Sequence, residues 1–231
     1  AKMLNFAHGD VIMIGSYVVY FAFGASGLNP VLSIVLSMIV CTILGVVIER
    51  LAYRPLREAP SLAVLITAIG VSYLLQQVAQ LSWSSNPKSF TSVVSGMKPV
   101  SLFGGQLTIS AETIVTIVAC VVIMVVLMWF VNYTPAGHAM LAVSEDRGAA
   151  QLMGVNVNGT ISLTFAIGSA LAAIAGALLC SSYPTLQPTT GAMPGIKAFV
   201  AAVFGGIGSI PGAFVGGILL GIIENLSKAY I

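Results

Sequence analysis

Side chains capable of chemistry are scarce in this sequence. It holds two histidines, three cysteines, seven acidic and nine basic residues among 231. His138 follows Pro135-Ala136-Gly137 and has no carboxylate or cysteine at ligand spacing, so it reads as a surface histidine. Cys41, Cys120 and Cys180 each sit inside an apolar run and read as small buried hydrophobes. There is no H-E-x-x-H motif, and the histidines are far apart in the chain, which argues against an intramembrane hydrolase. A phosphate-cradling G-x-x-x-x-G-K-[ST] loop is also missing. No catalytic residue, metal site or cofactor is expected in this chain. Two constellations remain. Asn5, His8, Gly9 and Asp10 place polar groups at the start of an apolar run, and the stretch Ser144 to Asn156 places charges before a small-residue segment.

The elements that must position these groups follow from composition. The chain is 58% hydrophobic and 7% charged, with a mean hydropathy of +1.02. An ordinary soluble domain is about 25% charged. Too few charges are present to solvate a globular surface, and a net charge of +2 is too mild to imply a polyanionic partner such as nucleic acid. The expected fold is therefore all-α, a polytopic transmembrane helix bundle forming one domain over residues 1–231, with lipid as its main solvent. Apolar runs, charge-free but for Glu112 and Lys197 near the ends of two of them, predict about seven membrane segments: Val11 to Gly24, Pro30 to Ile48, Leu62 to Leu81, Ala111 to Val131, Ile161 to Ser181, and two short ones, Pro194 to Gly206 and Pro211 to Ile223.

Orientation follows from Lys and Arg in the loops. The segment Glu49 to Glu58 carries Arg50, Arg54 and Arg57 and is placed in the cytoplasm, as a topology anchor or a docking surface. The loop Ser82 to Ser110 is rich in Ser, Gly and Asn and is placed outside. Alternation puts Asn132 to Thr160 inside and Tyr183 to Met193 outside. Glu112 and Lys197 then lie at outer edges, as interface anchors or contacts for an external protein. Glu224 also falls outside, with no partner that the sequence identifies.

Lipid gives helices no hydrophobic reason to associate, so small residues that admit close backbone approach carry the packing. Gly168, Ala172 and Gly176 share one face of the fifth span, and Gly212 with Gly216 and Gly217 with Gly221 recur in the seventh. Two regions read as interrupted or re-entrant helices: Leu4 to Asp10, and Gly205-Gly206-Ile207-Gly208-Ser209-Ile210-Pro211-Gly212. Freed backbone inside a membrane is tolerated only within protein or along a water-filled cavity, and paired interruptions point to a transport site. Asn5, His8, Gly9, Asp10, Gly205, Gly206 and Gly208 are thus substrate-pathway candidates. The competing reading of Asn5, His8 and Asp10 is a cap on the first span at the membrane interface.

In the loop between the fourth and fifth spans, Ser144 is the expected N-cap of a short cytoplasmic helix over residues 144–154. Glu145 and Asp146 favour its N-terminal end, and Gly154 and Asn156 its stop. Ala149 and Ala150 give it a smooth face, and Leu152 and Met153 supply apolar contact. From the residues alone it either packs on its own bundle or receives another protein.

The run Gly148-Ala149-Ala150-Gln151-Leu152-Met153-Gly154 resembles the EAA-x-x-x-G loop of ABC importer permeases, with Gly148 at the usual glutamate. Leu4 to Gly9, Glu49 to Arg57, Ala68-Ile69-Gly70 and Ala198 to Gly212 resemble, in order, the branched-chain amino acid permease family. Members normally have more chain before the Asn-Phe-Ala-His-Gly segment and after the last span, so terminal segments are expected to be missing here. The resemblance implies a multi-pass protein of the bacterial inner membrane. It also implies a second permease subunit, two cytoplasmic ATPase subunits that bind ATP and Mg, and an external solute-binding protein. Glu145, Asp146, Arg147, Gly148, Ala149, Ala150 and Gly154 would couple the permease to the ATPase. An ion-coupled transporter or channel is the alternative, and would need an embedded carboxylate.

Overall fold

The computed structural model describes residues 7–57, 59–94, 99–102 and 107–230. Its helices run in the order α1 (His8–Val19), α2 (Pro30–Ile48), α3 (Ser61–Trp83), α4 (Ala111–Tyr133), α5 (Pro135–Glu145), α6 (Arg147–Leu152), α7 (Val157–Ser182), α8 (Ala192–Phe204) and α9 (Ile210–Tyr230). Two short strand pairs, β1 (Lys88–Ser89) with β4 (Thr185–Leu186) and β2 (Val100–Leu102) with β3 (Leu107–Ile109), occupy the loops. The helical membrane bundle expected from composition is what forms.

Several helix starts are written locally. Asn29 caps α2 by accepting from the Val31 N–H, with Pro30 in the first turn, where its missing donor is not needed. Thr134 and Pro135 do the same for α5, with Thr134 accepting from the Gly137 N–H. Asn156 accepts from Gly159 at the start of α7.

Among the described residues, five helical segments are long and apolar enough to cross a membrane: Pro30–Leu56, Leu62–Trp83, Ala111–Tyr133, Val157–Ser182 and Ile210–Tyr230. The other two of the roughly seven expected segments are present as shorter elements. The first expected span divides into the 12-residue α1 and a wide π-turn over Tyr20–Ala25, and the sixth is the 13-residue α8. Both are short because both begin inside the bundle. The His8 ring lies beside Gly168, roughly midway along α7. Gly9 in turn touches Gly191, at the entry to α8.

The loops sort to two ends as the alternation of spans predicts. β1 pairs antiparallel with β4, Lys88 opposite Leu186, which joins the two loops assigned to the outside. Arg147 Nη1 donates to the Arg57 carbonyl at 3.4 Å, which joins the two assigned to the inside.

Backbone contact holds α1 at the centre. A Cβ on Gly176 would lie 2.5 Å from the Ile12 carbonyl oxygen, and one on Gly15 would lie 2.8 Å from the Ala173 Cα. Gly45 meets Ser169 in the same way, so α7 packs on both α1 and α2 through small residues. One buried cluster, including Val11, Cys41, Tyr53, Ala68 and Ala172, fills the half of the bundle toward Glu49. A second, with Met13, Tyr17, Phe90, Cys180 and Leu186, fills the half toward the β1–β4 pair. Cys120 departs from the sequence reading: it is exposed on α4, whose apolar face carries Val118, Val122, Val125 and Trp129 outward, as a lipid-facing helix does.

Candidate functional site

The loop between α4 and α7 is more structured than its sequence reading. The chain forms two helices there, α5 and α6, with a break at Asp146. Ser144 is not the cap: it lies in the last turn of α5 and its Oγ donates to the Leu141 carbonyl. Glu145 is the final residue of α5. Asp146 takes the capping role, its Oδ1 accepting from the Gly148 N–H at 2.8 Å and the Ala149 N–H at 3.0 Å. The reason is backbone geometry. Asp146 is extended, as an N-cap must be, while Ser144 is already helical. The pair Thr134-Pro135 was the available signal for α5. Gly148 lies exposed in the first turn of α6.

The two faces of α6 differ. Ala150 is buried with Val143 and Ile161, so it packs the helix onto α5 and α7. Ala149 is exposed, and Leu152 and Met153 are 90% and 84% exposed. Gly154 ends the element at φ +83°, a left-handed conformation that glycine adopts without a Cβ clash. The smooth face expected from Ala149 and Ala150 is therefore split: one residue anchors, the other is presented.

Beneath α6 lies a buried polar cluster. Glu49 is fully buried at the end of α2. Its Oε1 pairs with Arg57 Nη2, and its Oε2 accepts from Ser162 Oγ at 2.6 Å. Arg57 Nη1 donates to Asn158 Oδ1. Arg57 is thus removed from the surface, whereas Arg50 and Arg54 are exposed. The sequence reading treated all three arginines alike, because charge counting cannot see which one folds inward.

The second constellation lies at mid-depth. Asn5 falls outside the described residues. Asp10 is 1% exposed, and its Oδ1 accepts from Gln76 Nε2 of α3 at 2.9 Å, with Ser72 Oγ bonded to the same amide at 3.3 Å. Gly9 lies against Gly191 and Gly195: a Cβ on Gly9 would fall 2.3 Å from the Gly191 carbonyl oxygen. Two helix N-termini, those of α1 and α8, thus meet inside the bundle. Gly205, Gly206 and Gly208 are not part of that meeting. They form the turn at the far end of α8, about 20 Å away at 1.5 Å per residue. Gly206 and Gly208 there take φ of +91° and +101°, and a Cβ on Gly205 would fall 2.0 Å from the Gly212 carbonyl oxygen. The second interruption is a tight hairpin between α8 and α9, closed at its other end by Lys197 and Glu224 at 2.7 Å. Ser72 and Gln76 were missed because polar residues inside apolar runs carry no signal without their neighbours, and Gly191 and Gly195 because a glycine in a loop or at a span's start does not announce which backbone will approach it.

Comparison with known proteins fits this architecture. The family model described as "Branched-chain amino acid transport system / permease component" matches residues 1–231. The chain is 41% identical to the high-affinity branched-chain amino acid transport system permease protein LivH of Salmonella typhimurium, over 99% of this chain and 77% of that protein. Identity and coverage are the same for LivH of Escherichia coli K12. It is 43% identical to the corresponding permease protein BraD of Pseudomonas aeruginosa, over 96% of this chain and 75% of that protein. No solved structure is significantly similar to the chain. A helical bundle with membrane-length apolar spans and a family match over its whole length have one reading: the chain is a multi-pass membrane protein and belongs to the family of permease components of branched-chain amino acid transport systems.

Proposed function

We propose that this chain is the membrane-spanning subunit of an ATP-binding-cassette importer that moves branched-chain or related amino acids, driven by ATP hydrolysis on a separate subunit. In this reading it sits in the bacterial inner membrane with a second permease subunit. Two cytoplasmic ATPase subunits hold ATP and Mg, and an external solute-binding protein delivers the cargo. The substrate class comes from the relatives' names. The coupling comes from α6. Its Ala150 face is fixed to the bundle while Leu152 and Met153 stand 90% and 84% exposed, at the end this reading assigns to the cytoplasm. Exposed apolar side chains on a rigid element are what a partner's groove takes up.

The test is co-purification of the full transporter with its ATPase. Ala149→Glu and Leu152→Asp keep the permease in the membrane, lose the ATPase and lose uptake. Normal ATPase capture and uptake by both variants would overturn the reading.

One observation favours a second reading, an ion-coupled transporter. Asp10 is a carboxylate at mid-depth, and intramembrane ionisable groups mark ion and proton paths. Uptake that survives ATP depletion and collapses with an ionophore would select it.

A further inference from the structure

The segment after α2 carries three arginines, and two of them, Arg50 and Arg54, are exposed as topology anchors should be. Arg57 behaves differently. Its side chain is 11% exposed and its partner Glu49 is fully buried. An anchor needs its charge at the surface. Burying both charges carries a desolvation penalty that an apolar pair would avoid, so the pair is a poor device for stability alone and a good one for fixing a geometry.

That geometry links three elements. Both Glu49 oxygens are engaged, Oε1 by Arg57 and Oε2 by Ser162 Oγ. The second arm of the Arg57 fork reaches Asn158. Asn158 and Ser162 are one turn apart on α7, so the pair grips one face of that helix. The Arg57 carbonyl accepts from Arg147 in the first turn of α6. Tyr53, buried beside this cluster, packs its ring on Phe165 of α7 with centroids 5.2 Å apart. Upward from here α7 is a continuous rod. Its Gly168 lies beside His8, and its Gly176 abuts Ile12 and Ser16 of α1.

We infer that Glu49 and Arg57 are positioning residues for transport: they fix the segment after α2 to α7 and so hold the Arg57 carbonyl where Arg147 of α6 reaches it, so that displacement of α6 is carried along α7 to the α1–α8 junction. The inference rests on the importer reading above, since it takes the ATPase as the source of displacement. It differs from that reading in location. The importer reading needs the exposed face of α6, whereas this one needs a buried pair that touches no partner.

The experiment uses the reconstituted complete transporter and reads amino acid imported per ATP hydrolysed. Glu49→Gln keeps volume and a hydrogen bond but removes the charge. The Glu49→Gln/Arg57→Met double variant replaces the pair with neutral groups of similar size and guards against misfolding of the single variant, because no charge is left unpaired. Expected is a permease that reaches the membrane and captures ATPase at native levels, still hydrolyses ATP, and imports about tenfold less per ATP. A merely structural role would lower protein amount and leave that ratio unchanged. An ATPase-bound double variant with import per ATP within about twofold of native would overturn the inference while leaving the importer reading intact. A native chain that captures no ATPase would overturn the importer reading and this inference with it.

Discussion

Gln76 Nε2 of α3 donates a 2.9 Å hydrogen bond to Oδ1 of Asp10, joining α3 to α1 at the middle of the bundle. The contact separates two roles for Asp10. As a structural acceptor it needs an oxygen in that place and no charge. As an ion relay it needs a titratable carboxyl.

Asp10→Asn keeps the acceptor, so the importer reading expects near-native uptake and stability. Asp10→Ala leaves the Gln76 N–H without this acceptor inside the bundle and costs about 1–3 kcal/mol, seen as a lower unfolding temperature in detergent. Complete loss of uptake by a stably folded Asp10→Asn protein would move the case to the ion-coupled transporter.

The α1–α8 junction tolerates no side chain. A Cβ on Gly191 would stand 1.9 Å from the Gly9 carbonyl oxygen, while one on Gly221 of α9 meets nothing within 4 Å. Gly191→Ala is expected to cost about 1–3 kcal/mol or more, because backbone and not a flexible side chain must move. Gly221→Ala is expected to be neutral to about 1 kcal/mol stabilising, since alanine favours the helix and meets nothing there. Thermal unfolding of the two purified variants, measured side by side, checks the contrast; equal stability would mean that the two N-termini do not touch.

Removing the cap of α6 isolates the presenting element from the bundle. Asp146→Ala frees the Gly148 and Ala149 amides and costs about 1 kcal/mol locally, a large share for a six-residue helix. Hydrogen exchange at these two amides should accelerate and uptake should fall, with global unfolding little changed. Asp146→Asn restores both. Unchanged exchange in Asp146→Ala would show that packing of Ala150 alone holds the helix.

Much of this protein was legible in its residues. Apolar length gave α2, α3, α4 and α7, and α2 was bounded at Pro30 and Ile48 because Asn29 and Pro30 write its start. Alternation of the spans paired the loops correctly, since β1 meets β4 at one end and Arg147 meets Arg57 at the other. Gly168, Ala172 and Gly176 announced the packing face of α7, because backbone approach requires small residues in one row. What tertiary structure alone decided was depth and partnership. Nothing in the order of residues says that α1 and α8 start mid-bundle, that Arg57 turns inward to Glu49 while Arg50 does not, or that Lys197 finds Glu224. Hydropathy and charge are properties of one segment against its solvent and can be summed along the chain. A buried ion pair or a glycine crossing is a relation between segments distant in sequence, and its energy exists only once the bundle has brought them together.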